Sequence, residues 1–377
     1  MAEIHGTCDE RFAGVAAVLS ANLDGGLDVG ASVAVFVDGR PAVDIWGGYA
    51  DAEKTRPWER DTITNVFSTT KTMTALSALI LADRGELDVH APVARYWPEF
   101  KAAGKESVEV RHLLGHTAGL AGWTEALVPE DLADWEKCTS LLADQAPWWD
   151  PGTASGYHAV TQGYLVGEVV RRITGISLGT FFREEVATPL GADFHIGLAA
   201  EHDGRVSRLI PHPPIDVEAQ AQGRKLAIDT LANPPITGET SWPEWWRRAE
   251  IPAANGHGNA RSVAAVQSIM AGRGESAGVR LLSEAGCRAV YEEQSNGTDL
   301  VLGVPLRFGL GYGLASDFMP IGPTACFWGG YGGSLVYIDM DTRLCVSYVM
   351  NRMEGNLVGD RRGADVLLAV ASACGPT

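Results

Sequence analysis

Positive charge is scarce in this 377-residue chain: 30 lysines and arginines stand against 47 aspartates and glutamates, for a formal net charge of −17. That balance argues against a nucleic-acid binder, whose affinity comes from clustered Lys and Arg, and against electrostatic docking on an anionic membrane. Long apolar runs are missing too. No stretch approaches the roughly 18 uninterrupted apolar residues of a membrane span. The first residues, MAEIHGTCDERFAG, have neither the basic start nor the apolar run of an export signal. Cysteine is sparse: Cys8, Cys138, Cys287, Cys326, Cys345 and Cys374 lie far apart and form no Cys-x-x-Cys pair. They read as reduced thiols rather than a disulfide framework, and the expected location is cytoplasmic. What the chain does have is 46% apolar and 20% charged residues, a composition that folds rather than stays disordered. Its length calls for one large domain or two intimate ones.

Strand patterns occupy the two ends. Residues 31–38 and 42–50, joined at Gly39-Arg40, read as an antiparallel hairpin. Near the other end 306–315, 334–339 and 343–350 read as strands, with Met340-Asp341-Thr342 as the last turn. Helical patterns fill the middle. Thr70–Arg84 places Met73, Leu76, Leu79 and Ile80 on one side, with Gly85 as its C-terminal cap and Leu87 returning to the core. Further helices are predicted at 159–173, 178–187, 262–271, 283–293 and 363–373. The stretch 201–257, rich in Pro, Gly and Trp, is long for a loop, and short helices or a cap over a pocket are expected there. The simplest assembly is a mixed α+β fold in which both chain ends share one antiparallel sheet flanked by helices. The expected division is a sheet domain from 1–66 and 258–377 and a mainly helical domain from 67–257.

One constellation carries chemistry. Ser68-Thr69-Thr70-Lys71 opens the 70–84 helix and is the only Ser-x-x-Lys in the chain. The spacing sets both side chains on one face, one turn apart. A serine needs a base to become a nucleophile, and a lysine serves as one only if burial and the positive end of the helix lower its pKa. By spacing alone, a solvated lysine at a surface helix start is the commoner reading.

The surrounding sequence changes that balance. VFSTTKTMTALSALILA (66–82) with the following Asp83-Arg84-Gly85-Glu86-Leu87-Asp88, VRHLLGHTAGL (110–120), and the stretch from Pro151 to Pro189-Leu190-Gly191 resemble the serine β-lactamase and penicillin-binding superfamily. Within it they resemble most the class C β-lactamase-like esterases, the family VIII carboxylesterases. The resemblance spans most of the chain outside about 195–255. It implies a serine β-lactamase/DD-peptidase-like fold and an acyl-enzyme at Ser68, with Lys71 as its partner and Tyr157 as base or proton relay. It also implies a third motif at Trp328-Gly329-Gly330, and an oxyanion hole from the backbone N–H groups of Ser68 and Tyr331. No cofactor and no metal are implied.

Two departures bear on substrate. Where β-lactamases have asparagine two residues after the tyrosine, this chain has Ala159, after His158. Where their third motif begins with lysine, it has Trp328, which can wall an apolar pocket but cannot pair with a carboxylate. Trp328, Gly329, Gly330 and His158 are therefore expected at a substrate pocket. The expected function is hydrolysis of short or compact carboxylic esters, with a small-molecule ester as the only partner and the oligomeric state left open. The alternatives are a β-lactam or amide hydrolase, an acyltransferase, or a penicillin-sensor-like binder that acylates once.

Three other patterns have plainer readings. Gly274-Glu275-Ser276-Ala277-Gly278 matches a nucleophile elbow, but no buried strand precedes it and no histidine follows it, so a surface loop is expected. His112 and His116, four apart, lack a third zinc ligand, and His116 is expected to act as a structural hydrogen-bonder. The tryptophans at 123, 135, 148, 149 and at 242, 245, 246 fit core or pocket.

Overall fold

The computed structural model describes residues 2–213, 218, 221–317 and 319–375. Nine of its strands form one sheet: β1 (Ile4–Cys8), β2 (Gly30–Val37), β3 (Arg40–Gly48), β4 (Ser295–Thr298), β5 (Pro305–Phe308), β6 (Gly313–Leu314), β7 (Ala325–Gly329), β8 (Leu335–Asp339) and β9 (Leu344–Met350). Their spatial order is β1-β3-β2-β9-β8-β7-β6-β5-β4, and every neighbouring pair is antiparallel. The two chain ends meet where β2 pairs with β9, from Ala31 opposite Met350 to Val37 opposite Leu344. β2 and β9 are buried along almost their whole length, as central strands with both faces covered should be.

Helix α1 (Ala13–Asp24) packs on β1–β3 and on the C-terminal helix α5 (Arg361–Cys374), while α4 (Ala260–Ala271) packs on β2, β8 and β9. The intervening chain supplies α2 (Thr70–Asp83), which packs against α3 (Thr161–Thr174) and sits at the centre of the molecule. The sequence pattern gave α2 one apolar side. In the fold it is buried on every side from Thr70 to Leu81. Its hydroxyls make that possible by bonding backbone carbonyls: Thr72 to Thr69 at 2.8 Å, Thr74 to Pro252 at 2.6 Å and Ser77 to Met73 at 2.9 Å. α2 and α3 end at the expected glycines, Gly85 and Gly175, both with positive φ, and Leu87 is buried.

Two expectations need correction. The 306–315 segment is not one strand but β5 and β6 joined by a tight turn, closed by the Gly309 N–H to the Tyr312 carbonyl at 2.9 Å. Gly311 there has φ +84°, and a Cβ on it would lie 2.3 Å from that of Ala75, so the reversal needs this glycine against α2. The predicted 283–293 helix is a single helical turn or so, Glu284–Arg288, running into the 3₁₀ turn Ala289–Tyr291. β1, α1, β4 and β7 were not predicted. In 201–257 short helices do appear, at Lys225–Leu231 and Glu244–Arg248.

Candidate active site

The chain enters the site through a strained turn. After the short strand Ile63–Asn65, Phe67 adopts φ +42°, a conformation that costs an L-residue on the order of 1–3 kcal/mol. Its ring is held between Tyr331 (centroids 5.3 Å apart) and Trp246 (6.1 Å). The turn places Ser68 at the corner where α2 begins.

Two groups converge on Ser68 Oγ. The Tyr157 hydroxyl donates to it at 2.6 Å, and Lys71 Nζ lies 3.1 Å away. Lys71 is 1% exposed, and its amine donates to the carbonyls of Ala159 (2.6 Å) and Ala253 (2.9 Å). Burial holds its pKa well below the ordinary 10.5. Burial likewise pushes the Tyr157 phenol up, and the nearby Asp299 carboxylate adds to the rise. Burial therefore favours the uncharged form of both the amine and the phenol. The lone pair of an amine whose N–H groups point at two carbonyls is free for the serine proton.

The backbone donors expected at an oxyanion hole lie at the junction of β7 and α2. An added Cβ on Gly330 would sit 3.3 Å from the Ser68 nitrogen. Neither the Ser68 nor the Tyr331 N–H makes a hydrogen bond within the described residues. The turn carrying Tyr331 is anchored from behind by Arg362, 3% exposed, which donates to the Gly332 carbonyl at 2.7 Å and to Asp28 at 2.9 Å.

Ser68 and Tyr157 open on a cavity of about 340 Å³. It is also lined by Phe67, Ala159, Val160, Ala254 and Tyr331, and by Pro211, His212, Leu357 and the 230–239 segment. The Asn233 amide pins that segment by donating to the Trp123 and Glu125 carbonyls, each at 2.8 Å. The cap foreseen for 201–257 is thus partly a wall, with no tryptophan in it.

The four residues expected to line the pocket do not line it. Trp328 is 1% exposed and packs behind the tyrosine, with ring centroids 5.4 Å from Tyr157, 5.2 Å from Phe308 and 6.1 Å from His116. It backs Tyr157 rather than substrate. His158 is wholly buried: Nδ1 donates to the Gly156 carbonyl at 2.6 Å, Nε2 accepts from the Leu120 N–H at 3.1 Å, and burial holds its pKa near 3. The glycines admit the protein's own backbone, not substrate. A Cβ on Gly329 would lie 2.5 Å from the Gly359 nitrogen, and one on Gly330 2.2 Å from the Val66 carbonyl oxygen.

The other patterns resolve as structure. Ser276 sits on a small hairpin, Glu275–Ser276 with Val279–Arg280, not on the expected surface loop; it is buried and shares a 2.6 Å hydroxyl bond with Ser268. His116 Nδ1 accepts from the His158 N–H, and His112 Nδ1 from the Glu109 N–H, each at 3.1 Å. No cluster of three or more potential metal ligands occurs among the described residues.

Several supporting residues carried no local signal. Asp299 Oδ1 accepts from the backbone N–H groups of Tyr157 (3.0 Å), Val301 (2.9 Å) and Leu302 (2.8 Å), fixing the tyrosine's loop from a distant position in sequence. His212 meets the Tyr331 hydroxyl at 2.5 Å. Arg362, Ala253 and the 230–239 wall were equally silent.

Comparison with known proteins places this geometry. The family model described as Beta-lactamase matches residues 19–371. Over 370 residues the chain is 37% identical to the esterase/beta-lactamase LipL of Mycobacterium tuberculosis, covering 94% of this chain and 84% of that protein. Among solved structures, a family VIII carboxylesterase superposes with a TM-score of 0.93 at 41% identity, covering 98% of this chain and all of that one. A penicillin-binding protein homologue from Caulobacter crescentus follows with a TM-score of 0.89 at 36% identity, covering 98% and 100%.

Proposed function

The chain belongs to the beta-lactamase family, and from that premise we propose that it is a serine carboxylesterase acting through an acyl-enzyme at Ser68. The observation that carries the proposal is the triad itself, Tyr157 and Lys71 both on Ser68 Oγ, at the wall of a largely apolar cavity.

In this mechanism Ser68 Oγ attacks the ester carbon while its proton passes to Lys71. The carbonyl oxygen becomes an oxyanion facing the Ser68 and Tyr331 N–H groups, each worth roughly 3 kcal/mol to the transition state. The ester C–O bond then breaks, and the alcohol leaves with a proton relayed from Lys71 through the Tyr157 hydroxyl. Deacylation runs the same relay in reverse: water gives its proton toward Lys71, attacks the acyl carbon, and Ser68 Oγ departs protonated. The raised Tyr157 pKa supports a relay role for the phenol, and the lowered Lys71 pKa supports the amine as base. No cofactor enters this scheme. The six cysteines, all free thiols, support a cytoplasmic location within the same proposal.

The test is steady-state hydrolysis of p-nitrophenyl butyrate by the wild type, Ser68→Ala and Ser276→Ala, with a chromogenic cephalosporin alongside. Ester turnover that vanishes in Ser68→Ala and persists in Ser276→Ala is expected, with slow lactam turnover. A cephalosporin turned over as well as the ester would favour the lactamase reading. A single stoichiometric burst on both would make the protein a sensor.

A further inference from the structure

Lactam-processing members of a fold like this must accommodate a carboxylate on their substrate, so the charge around the cavity matters. Here it has one sign. Glu239, exposed at the start of the 3₁₀ turn Glu239–Ser241, lines the cavity alongside Thr237, Ile236, His212 and Tyr331. Among the described residues that line it, Glu239 is the only carboxylate, and none is a lysine or an arginine. Arg208, Arg224 and Lys225 adjoin this part of the chain, but none is among the described residues that line the cavity. Lys71 gives no compensation, because its amine is buried and committed to two carbonyls and Ser68. The field of Glu239 also reaches across the wall: after burial, it is the second cause that pushes the Tyr331 phenol up to about 12.

We propose that Glu239 sets the substrate class, reserving the cavity for esters whose pocket-facing groups are uncharged or cationic and turning away those that carry a carboxylate. The proposal rests on the esterase reading and goes beyond it, since a serine esterase of this geometry could equally have had a neutral or basic wall. An anionic substituent brought beside Glu239 meets a like charge with no lysine or arginine among the described residues of the cavity wall. At a solvent-exposed site one such contact amounts to roughly fivefold in selectivity. The same residue would disfavour β-lactam antibiotics through their carboxylate.

The experiment compares two esters that differ only in the terminal group, p-nitrophenyl hexanoate and the mono-p-nitrophenyl ester of adipic acid. The readout is the ratio of their kcat/KM values in wild type, Glu239→Gln and Glu239→Lys. The preference for hexanoate should fall about fivefold in Glu239→Gln and further in Glu239→Lys. A second arm needs no variant: raising salt from about 0.01 M to about 1 M shrinks the Debye length from roughly 30 Å to 3 Å. It should bring the wild-type ratio toward that of Glu239→Gln. A ratio that stays constant across the proteins and both salt concentrations overturns the assignment while leaving the esterase reading intact. Absence of Ser68-dependent hexanoate hydrolysis would instead overturn the esterase reading, and this proposal with it.

Discussion

Replacing Tyr157 by phenylalanine removes one oxygen and little else. The ring keeps its contacts with Trp328, His116 and the Lys71 amine, which lies 4.9 Å from the ring centroid. The loop stays fixed because Asp299 holds the Tyr157 backbone N–H rather than its side chain. What disappears is the 2.6 Å bond to Ser68 Oγ and the route by which a proton reaches the leaving alcohol. A positioned acid–base group contributes about 10²- to 10⁴-fold, so the barrier should rise by roughly 3–5 kcal/mol. The loss of one buried hydrogen bond costs only about 1 kcal/mol of stability. Because the cavity wall is unchanged, KM should move by no more than a few-fold while kcat collapses. The assay is steady-state turnover of p-nitrophenyl butyrate together with thermal melting by circular dichroism. A variant that melts near the wild type and retains kcat within about tenfold would refute the relay role for Tyr157.

Two further outcomes follow from the same geometry. Activity requires the free amine of Lys71, so kcat/KM should fall as pH drops through its lowered pKa, well below 10.5; the raised Tyr157 pKa means the phenol imposes no matching loss on the alkaline side up to about 10. A pH–rate profile with its acid limb at the ordinary lysine value would contradict burial as the device. Gly330→Ala would set a Cβ 2.2 Å from the Val66 carbonyl oxygen and 2.3 Å from Ser334 Oγ, forcing the backbone that leads into Tyr331 away from Ser68. Its kcat should drop by about 10²-fold or more, the cost of one misplaced oxyanion donor; wild-type kcat in a folded variant would show that the N–H groups act elsewhere.

How far the residues themselves led can be traced element by element. The apolar runs in 31–38 and 343–350 were enough to find β2 and β9, because central strands between covered faces must be apolar, and the hairpin turn at Gly39-Arg40 led on to β3. The 306–315 stretch misled for a related reason. Its apolar residues satisfy a strand pattern, and only the contact of Gly311 with Ala75 of α2 makes the chain reverse there. Trp328 was assigned to a pocket on its chemistry alone. An indole can wall a cavity or back a catalytic ring, and the neighbours that choose between the two, Tyr157 and Phe308, are remote in sequence.

Local sequence determined the Ser68–Lys71 pairing, since three residues at a helix start leave the two side chains one turn apart whatever surrounds them. It also determined the glycine caps of α2 and α3 and the family resemblance. The tertiary structure alone decided what those groups can do. Only folding brings the Ala159 and Ala253 carbonyls to the lysine, the Tyr157 hydroxyl to the serine, and the 230–239 wall with Glu239 to the same cavity as Ser68. A pKa or a cavity is a property of groups close in space, and in this protein those groups come from segments far apart in the chain.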